Sequence, residues 1–226
     1  MSSFTHHDVA SAPHRVTVLR EVALGRREIE RFIRLAFARA YGANIHHFMP
    51  WLLSLRADDG EPQAALGFRF ATRGRLFLEQ YFDAPIEATL AVATHAPLTR
   101  EGVVEVGNLA VARAGGARWL VAALTAYLYG ANHAWAVFTA VPALVNAFTR
   151  LGIALIPLAA ADITRLPLAE RAAWGSYYDT QPMVMAANVA QSFRALTVYL
   201  DLPRDRQRLG PLCAAAYAAG CARPTA

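Results

Sequence analysis

Two glutamates stand inside apolar runs. Glu79 lies in Leu76-Phe77-Leu78-Glu79-Gln80-Tyr81-Phe82, and Glu105 lies in the β-branched run Val103 to Val111. A carboxylate is costly to bury without a partner, and burial raises its pKa. Such a group can take a proton from an ammonium and free the amine for attack. The structural alternative is an ion pair with Arg69 or Arg75. Strand alternation puts Glu105 on the face of Gly107, with Asn108 on the opposite face. A buried Asn108 amide needs partners, so it either orients a ligand or braces the loop beyond it. That loop, Arg113-Ala114-Gly115-Gly116-Ala117-Arg118, opens directly into an apolar helix-like run. Glycines let a backbone come close, and the first amides of a helix are unpaired, so the loop suits an anionic group such as a phosphate. Arg113 and Arg118 add charge; the plain alternative is a strand-to-helix turn with solvated arginines.

The elements that must position these residues follow from periodicity. Val16 to Arg20 reads as a strand. Arg26 to Ala40 has a helical apolar face that stops at Gly42. Trp51 to Arg56 and Gln63 to Ala71 flank an Asp-Gly turn and read as a hairpin. Arg75 to Phe82 reads as a further strand, and Pro85 to Leu90 as a helix. Strand, glycine loop and helix follow, then a strand from Ala134 to Thr139 and a helix ending at Leu151-Gly152. Ala159 to Leu166 reads as a short helix, and Trp174 to Asn188 as one or two late strands carrying Tyr177 and Tyr178. Hairpin-joined early strands should be antiparallel, and later ones separated by helices parallel. The expectation is an α/β fold with a mixed central sheet flanked by helices. Residues 1–15 are expected to be a disordered tail, 16–200 one domain, and 201–226 a helical tail.

Composition narrows the chemistry. The 226 residues suffice for one domain with a real core. All 22 basic residues are arginine, which excludes Schiff-base lysine chemistry and a P-loop lysine. Net charge is +5, but the arginines are dispersed, which argues for an anionic ligand or a solvated surface over nucleic acid. No apolar run reaches the ~18 residues that span a bilayer, and the N-terminus lacks a signal-peptide pattern. Only Cys213 and Cys221 are present, which fits a reducing cytoplasm. His46-His47 lacks a spaced third ligand, so no metal is expected. No G-x-S-x-G elbow supplies an esterase nucleophile.

The order of elements, with Arg113-x-x-Gly116 after the central strand, resembles the GNAT acyltransferase fold. Arg118 stands where that family has a small residue, and Ala117 comes one position early. The words Ala40-Tyr41-Gly42-Ala43, Leu78-Glu79-Gln80-Tyr81, Glu105-Val106-Gly107-Asn108-Leu109-Ala110, Phe138-Thr139-Ala140 and Trp174-Gly175-Ser176-Tyr177-Tyr178 resemble the thermostable hemolysin family. The layout is also similar to acyl-homoserine-lactone synthases, as a fold-level analogy. The resemblance implies a cytoplasmic N-acyltransferase, autoinducer synthase-like, with acyl-CoA or acyl-carrier protein as donor. The acceptor would be a small amine or amino-acid derivative and the product an N-acyl amino acid or similar. Under it, Glu79 or Glu105 is the base, Asn108 orients, and Tyr178 protonates the departing thiolate, against plain aromatic packing. Leu109, Ala110 and Val111 present backbone to the thioester, and Arg113, Gly115, Gly116, Ala117, Arg118 and Asn146 hold the donor. Two further readings stand beside it: a directly membrane-active hemolysin with peripheral lipid contact, and a non-catalytic acyl-CoA-binding scaffold.

Overall fold

The computed structural model describes residues 15–113 and 115–222, so nearly all of the expected tail at 1–15 lies outside the described residues. The elements run β1 (Arg15–Leu19), α1 (Arg26–Tyr41), β2 (Trp51–Arg56), β3 (Pro62–Phe70), α2 (Ile86–Thr94), β4 (Val103–Val111), α3 (Gly116–Gly130), β5 (Trp135–Ala140), α4 (Pro142–Arg150), β6 (Ile156–Ala160), α5 (Leu168–Arg171), β7 (Met183–Asn188), α6 (Val189–Leu200) and α7 (Pro203–Cys221). The strands form one seven-stranded sheet in the order β1-β2-β3-β4-β5-β7-β6. The early strands are antiparallel and β4 runs parallel to β5. Beyond them the expectation of parallel strands fails, because β7 inserts between β5 and β6 antiparallel to both.

One feature of the sheet departs from simple alternation. Ala65 faces Ala110 and Gly67 faces Gly107, so β4 spends one more residue than β3 over the same span. This is a β-bulge, and Asn108 takes it up with a left-handed backbone at φ 52°. Asparagine tolerates that conformation better than most side chains. Before the bulge, Val104 and Val106 join the core on the α3 face, while Val103 and Glu105 turn to the α1 face. After it, Leu109 packs on the α3 face and Ala110 on the other.

Three segments differ from their expected structure. Leu76–Phe82 is not a strand: Phe77–Tyr81 is a 3-10 turn. The Glu79 carboxylate accepts the Leu76 N–H at 2.7 Å, which closes a turn that an extended chain cannot make. Ala159–Leu166 is not a helix: it holds the end of β6 and a 3-10 turn, Ile163–Arg165, capped by the Asp162 side chain at the Thr164 N–H, 2.8 Å. Tyr177 and Tyr178 are not on a strand either. Ala172–Trp174 and Tyr177–Thr180 are 3-10 turns separated by Gly175 at φ 52°, and the strand begins only at Met183.

α3 is buried from Leu120 to Leu128 on all sides, because the sheet covers one face and α7 another. The Phe68 and Tyr127 rings lie 5.4 Å apart on the sheet side. On the other side the two helices touch backbone to backbone: a Cβ on Gly130 would strike the Tyr217 carbonyl, and one on Gly220 the Tyr127 carbonyl. The C-terminal helix is therefore part of the core, contributing Leu209, Leu212, Cys213 and Ala216. Gly220→Ala should lower the unfolding midpoint in urea. Overpacking of about 1–3 kcal/mol exceeds the gain in helix propensity of about 1 kcal/mol. An unchanged or higher midpoint would mean that α7 is free to move off α3.

Candidate functional site

The β4–β5 ladder begins at Val103–Trp135 and ends at Val106–Phe138, although both strands continue. Past that point β4 stays with β3 through the bulge and β5 stays with β7. The strands part, and Gly107, Asn108 and Leu109 on one side and Thr139 and Val141 on the other line a cavity between them. It holds about 1150 Å³ of empty space, part of it open to solvent. Its α3-side half is aliphatic and aromatic, with Leu66, Val121, Leu124, Leu144 and Phe148 in the wall. Its α1-side half is aromatic, with Tyr41, Phe77, Tyr81, Trp174, Tyr177 and Tyr178.

The bulge is held from outside the sheet. Asn108 Oδ1 accepts the Met49 N–H at 2.9 Å, and its Nδ2 donates to the His47 carbonyl at 3.3 Å. Arg26 at the start of α1 donates to the Met49 and Pro50 carbonyls, both at 2.8 Å. The irregular segment 42–50 is thereby strapped over β3 and β4. Met49 fits there because Gly67 and Gly107 oppose each other across the ladder: a Cβ on Gly67 would sit 2.5 Å from Met49 Cβ, and one on Gly107 2.8 Å from its methyl.

Glu105 is buried in the cavity wall at 2% exposure. Its Oε1 accepts the Leu78 N–H at 2.8 Å, and its Oε2 accepts the Phe77 N–H at 3.0 Å and faces Arg69 Nε at 3.0 Å. Burial pushes its pKa above the ordinary carboxylate value, against the pull of Arg69 and of the two amides. A carboxylate has about four acceptor positions, so Oε1, with its single donor, keeps room for one more.

Glu79 has the opposite environment. Its oxygens accept from the Leu76 and Ile86 amides and from Arg100 at 2.6 and 2.9 Å. Arg100 also binds Glu87 at 2.7 Å and the carbonyls of Ala71 and Gly74 at 2.8 Å. Burial alone would raise the Glu79 pKa, but Arg100 and the amides outweigh it and hold it at about 2. Glu79 lines an outer cleft with Arg75, Asp83 and Arg100, not the cavity.

Tyr178 reaches the cavity, and its hydroxyl is hydrogen-bonded to that of Tyr81. Burial lifts its pKa to about 12, so it is protonated at neutral pH. The structure thus brings Glu105, Asn108, Leu109 and Tyr178 together. Ala110 and Val111 continue β4 beyond the bulge. Gly115, at φ 88°, caps α3 in a left-handed conformation that favours glycine, and Gly116 and Ala117 form the first turn. The Gly116 and Arg118 amides close local turns onto the Arg113 and Gly115 carbonyls at 3.2 and 3.3 Å. Arg113 is exposed, and Arg118 donates to the Tyr199 hydroxyl at 3.2 Å. Asn146 is exposed on α4, outside the cavity wall. Sequence reasoning passed over Tyr81 and Met49. The glycine inside β3 was the signal for Met49, since it marks a close approach; Tyr81 had none. Among the described residues there is no group of three or more metal-ligating side chains, and no helix is long and apolar enough to cross a membrane.

The environment of Glu79 yields an expected result. Its folded-state pKa is depressed, so its stabilising contribution is present above the unfolded value near 4.5 and is lost as pH falls toward about 2. Glu79→Gln should destabilise by about 1–3 kcal/mol at pH 7, because one neutral amide oxygen replaces the carboxylate that serves Arg100 and the Leu76 and Ile86 amides, and should flatten the acid limb of stability in that window. Unfolding curves at several pH values measure both; an unaltered acid limb would show that Glu79 does not carry it.

Among curated protein sequences, none matches the chain. Solved structures share its fold. The CoA-dependent acyl-homoserine lactone synthase BjaI aligns with a TM-score of 0.57 at 14% identity over 84% of this chain and 90% of that one. The acyl-homoserine lactone synthase LasI gives 0.55 at 12% identity over 82% and 95%. FeeM, an N-acyl amino acid synthase from uncultured soil microbes, gives 0.50 at 15% identity over 83% and 98%. These likenesses bear on the fold, whose mixed sheet and parallel β4–β5 pair agree with the GNAT-like expectation. Residues 20–193 match the thermostable hemolysin family model, and the chain belongs to that family.

Proposed function

We propose that the chain is an N-acyltransferase that moves an acyl group from an acyl thioester, carried on CoA or on a carrier protein, to a small amine or amino-acid-derived acceptor. The observation that carries this reading is the bulged gap between β4 and β5. It opens onto a cavity that is apolar on one side and has Glu105 and Tyr178 in the wall of the other. The thioester carbonyl lies along Asn108 to Val111, where the bulge disrupts the ladder and a backbone N–H can polarise it. The acyl chain fills the half lined by Leu66, Val121 and Phe148. The pantetheine phosphate rests at Arg113 and Gly115 to Arg118, at the start of α3.

The amine lone pair attacks the carbonyl carbon, the C–N bond forms and the C–S bond breaks. Glu105 takes the amine proton at Oε1, and Tyr178 gives its proton to the leaving thiolate. Glu79 takes no part in this scheme; it holds the turn that presents the Phe77 and Leu78 amides to Glu105. Asn146 is left out because of its place on α4.

Glu105→Gln should retain thioester binding and lose about 10²–10⁴-fold in kcat. In the wild type, kcat/KM should rise with pH along a limb displaced above the ordinary carboxylate range, because burial raises the Glu105 pKa, and the variant should lack that limb. Mass spectrometry of lipids from cells expressing each form reads the product directly: a new N-acyl species in the wild type alone is expected. Retained turnover in the variant would make Glu105 a structural partner of Arg69. Rapid dye release from liposomes by the protein without a thioester would overturn the enzyme reading. Arg113→Ala should weaken CoA or carrier-protein binding by calorimetry, and unchanged affinity would remove the loop from the donor site.

A further inference from the structure

The α1-side half of the cavity is walled by aromatic rings from three separate stretches of chain. α1 contributes Phe37 and Tyr41, the 3-10 turn at 77–81 contributes Phe77 and Tyr81, and the turns at 172–180 contribute Trp174, Tyr177 and Tyr178. Trp174 sits among them, 5.3 Å from Tyr177, 5.8 Å from Tyr178 and 5.8 Å from Phe77, and Tyr41 lies 5.1 Å from Tyr177. The group does not behave as ordinary core. Tyr41, Phe48, Phe77 and Trp174 are only half-buried, and all four line empty space. A core closes over its aromatic rings at high packing density, whereas a binding site leaves faces uncovered.

The wall is also preformed. The Ser176 N–H donates to the Tyr41 carbonyl at 2.8 Å, and the Asn44 N–H donates to the Ala173 carbonyl at 2.7 Å. These bonds fasten the C-terminal end of α1 to the turn that carries Trp174. Gly175 lies so close to Tyr41 and Gly42 that no side chain fits between the two segments. Backbone bonds thus fix where the rings of α1 and of this turn stand relative to each other.

The polar groups of this half are mostly paired among themselves or carried on the rings. Arg69 pairs with Glu105, the Tyr81 and Tyr178 hydroxyls pair with each other, and Tyr41 and Tyr177 each carry one further hydroxyl. A polyhydroxylated or charged acceptor body would shed water here without enough partners to replace it. A short aliphatic body would leave the ring faces uncovered. A body with a second cationic group would find no carboxylate in this wall beyond Glu105, which already pairs with Arg69. An aromatic ring meets the geometry, since offset and edge-to-face contacts are what such faces favour.

We propose that the acceptor is a primary amine bearing an aromatic ring, seated among Tyr41, Phe77 and Trp174 with its nitrogen toward Glu105. This rests on the acyltransfer reading above. The same chemistry is offered by aromatic amino acids and by their decarboxylated arylalkylamines. A carboxylate on the acceptor would face Arg69, whose side chain is 30% exposed.

The test is acyl transfer by the purified full chain from short-, medium- and long-chain thioesters of both CoA and carrier protein. The amines are phenylalanine, tryptophan, phenethylamine and tryptamine, set against alanine, glutamate, putrescine and ethanolamine, with products read by mass spectrometry. Preferential acylation of the aromatic amines is the expected result. The amino acids against the two arylalkylamines decide whether Arg69 reads a carboxylate. Equal or better acylation of the non-aromatic amines overturns the acceptor assignment and leaves the transferase standing. No acylation of any amine by any donor overturns the transferase reading itself. Trp174→Ala should raise the acceptor KM about tenfold while the thioester KM stays unchanged, and Trp174→Phe should recover most of the loss. An acceptor KM unmoved in Trp174→Ala also overturns the assignment. Acceptor selectivity in the wild type decides the matter if that variant does not fold.

Discussion

The Asn108 side chain joins the bulged strand β4 to the segment 42–50 through the Met49 amide and the His47 carbonyl, and much of the cavity follows from that junction. Because Asn108 occupies a left-handed conformation, β4 gains a residue and changes facing beyond it. The strand turns away from β5 where it would otherwise have continued the ladder. The strap then needs somewhere to lie, and the paired glycines at 67 and 107 provide it, with Met49 occupying the space that side chains would take. Arg26 grips the same strap from α1, so helix, strap and bulge form one connected unit.

The two glutamates show how environment divides chemically identical groups. Each accepts two backbone amides and faces an arginine. Arg100 meets Glu79 with two nitrogens in a forked pair that strongly favours the charged form, whereas Arg69 presents its Nε to Glu105 and shares that nitrogen with the Met49 sulfur. Burial therefore prevails at Glu105 and is overcome at Glu79. The pair are linked in space, since Glu79 shapes the turn whose amides hold Glu105.

How much was legible in advance varied with the range of the interactions. The strand–loop–helix–strand–helix run from Val103 to Leu151 was readable because it depends on local periodicity, glycine and helix-start chemistry. The turn at Phe77–Tyr81 was not, because Leu-Phe-Leu-Glu has a strand-like composition, and the Glu79 carboxylate that closes the turn on the Leu76 amide is held by Arg100, 21 residues on. Tyr178 was singled out on its chemistry, but its seat on a 3-10 turn beside Tyr81 was hidden. The two residues are 97 positions apart, and no periodicity reports such a pairing.

The amino-acid sequence alone determined the class of fold, the element order from Val103 to Leu151, and a short set of candidate groups whose chemistry could move a proton or hold an anion. Those properties come from hydrophobic period and residue chemistry, which are local. Tertiary structure alone decided which carboxylate faces the cavity and which is spent on an arginine. It also decided that aromatic residues from distant turns share one wall. Burial and partner choice, which set a carboxylate's pKa and a ring's exposed face, exist only once the chain has closed on itself. Glu79 and Glu105, alike in sequence context, differ for that reason.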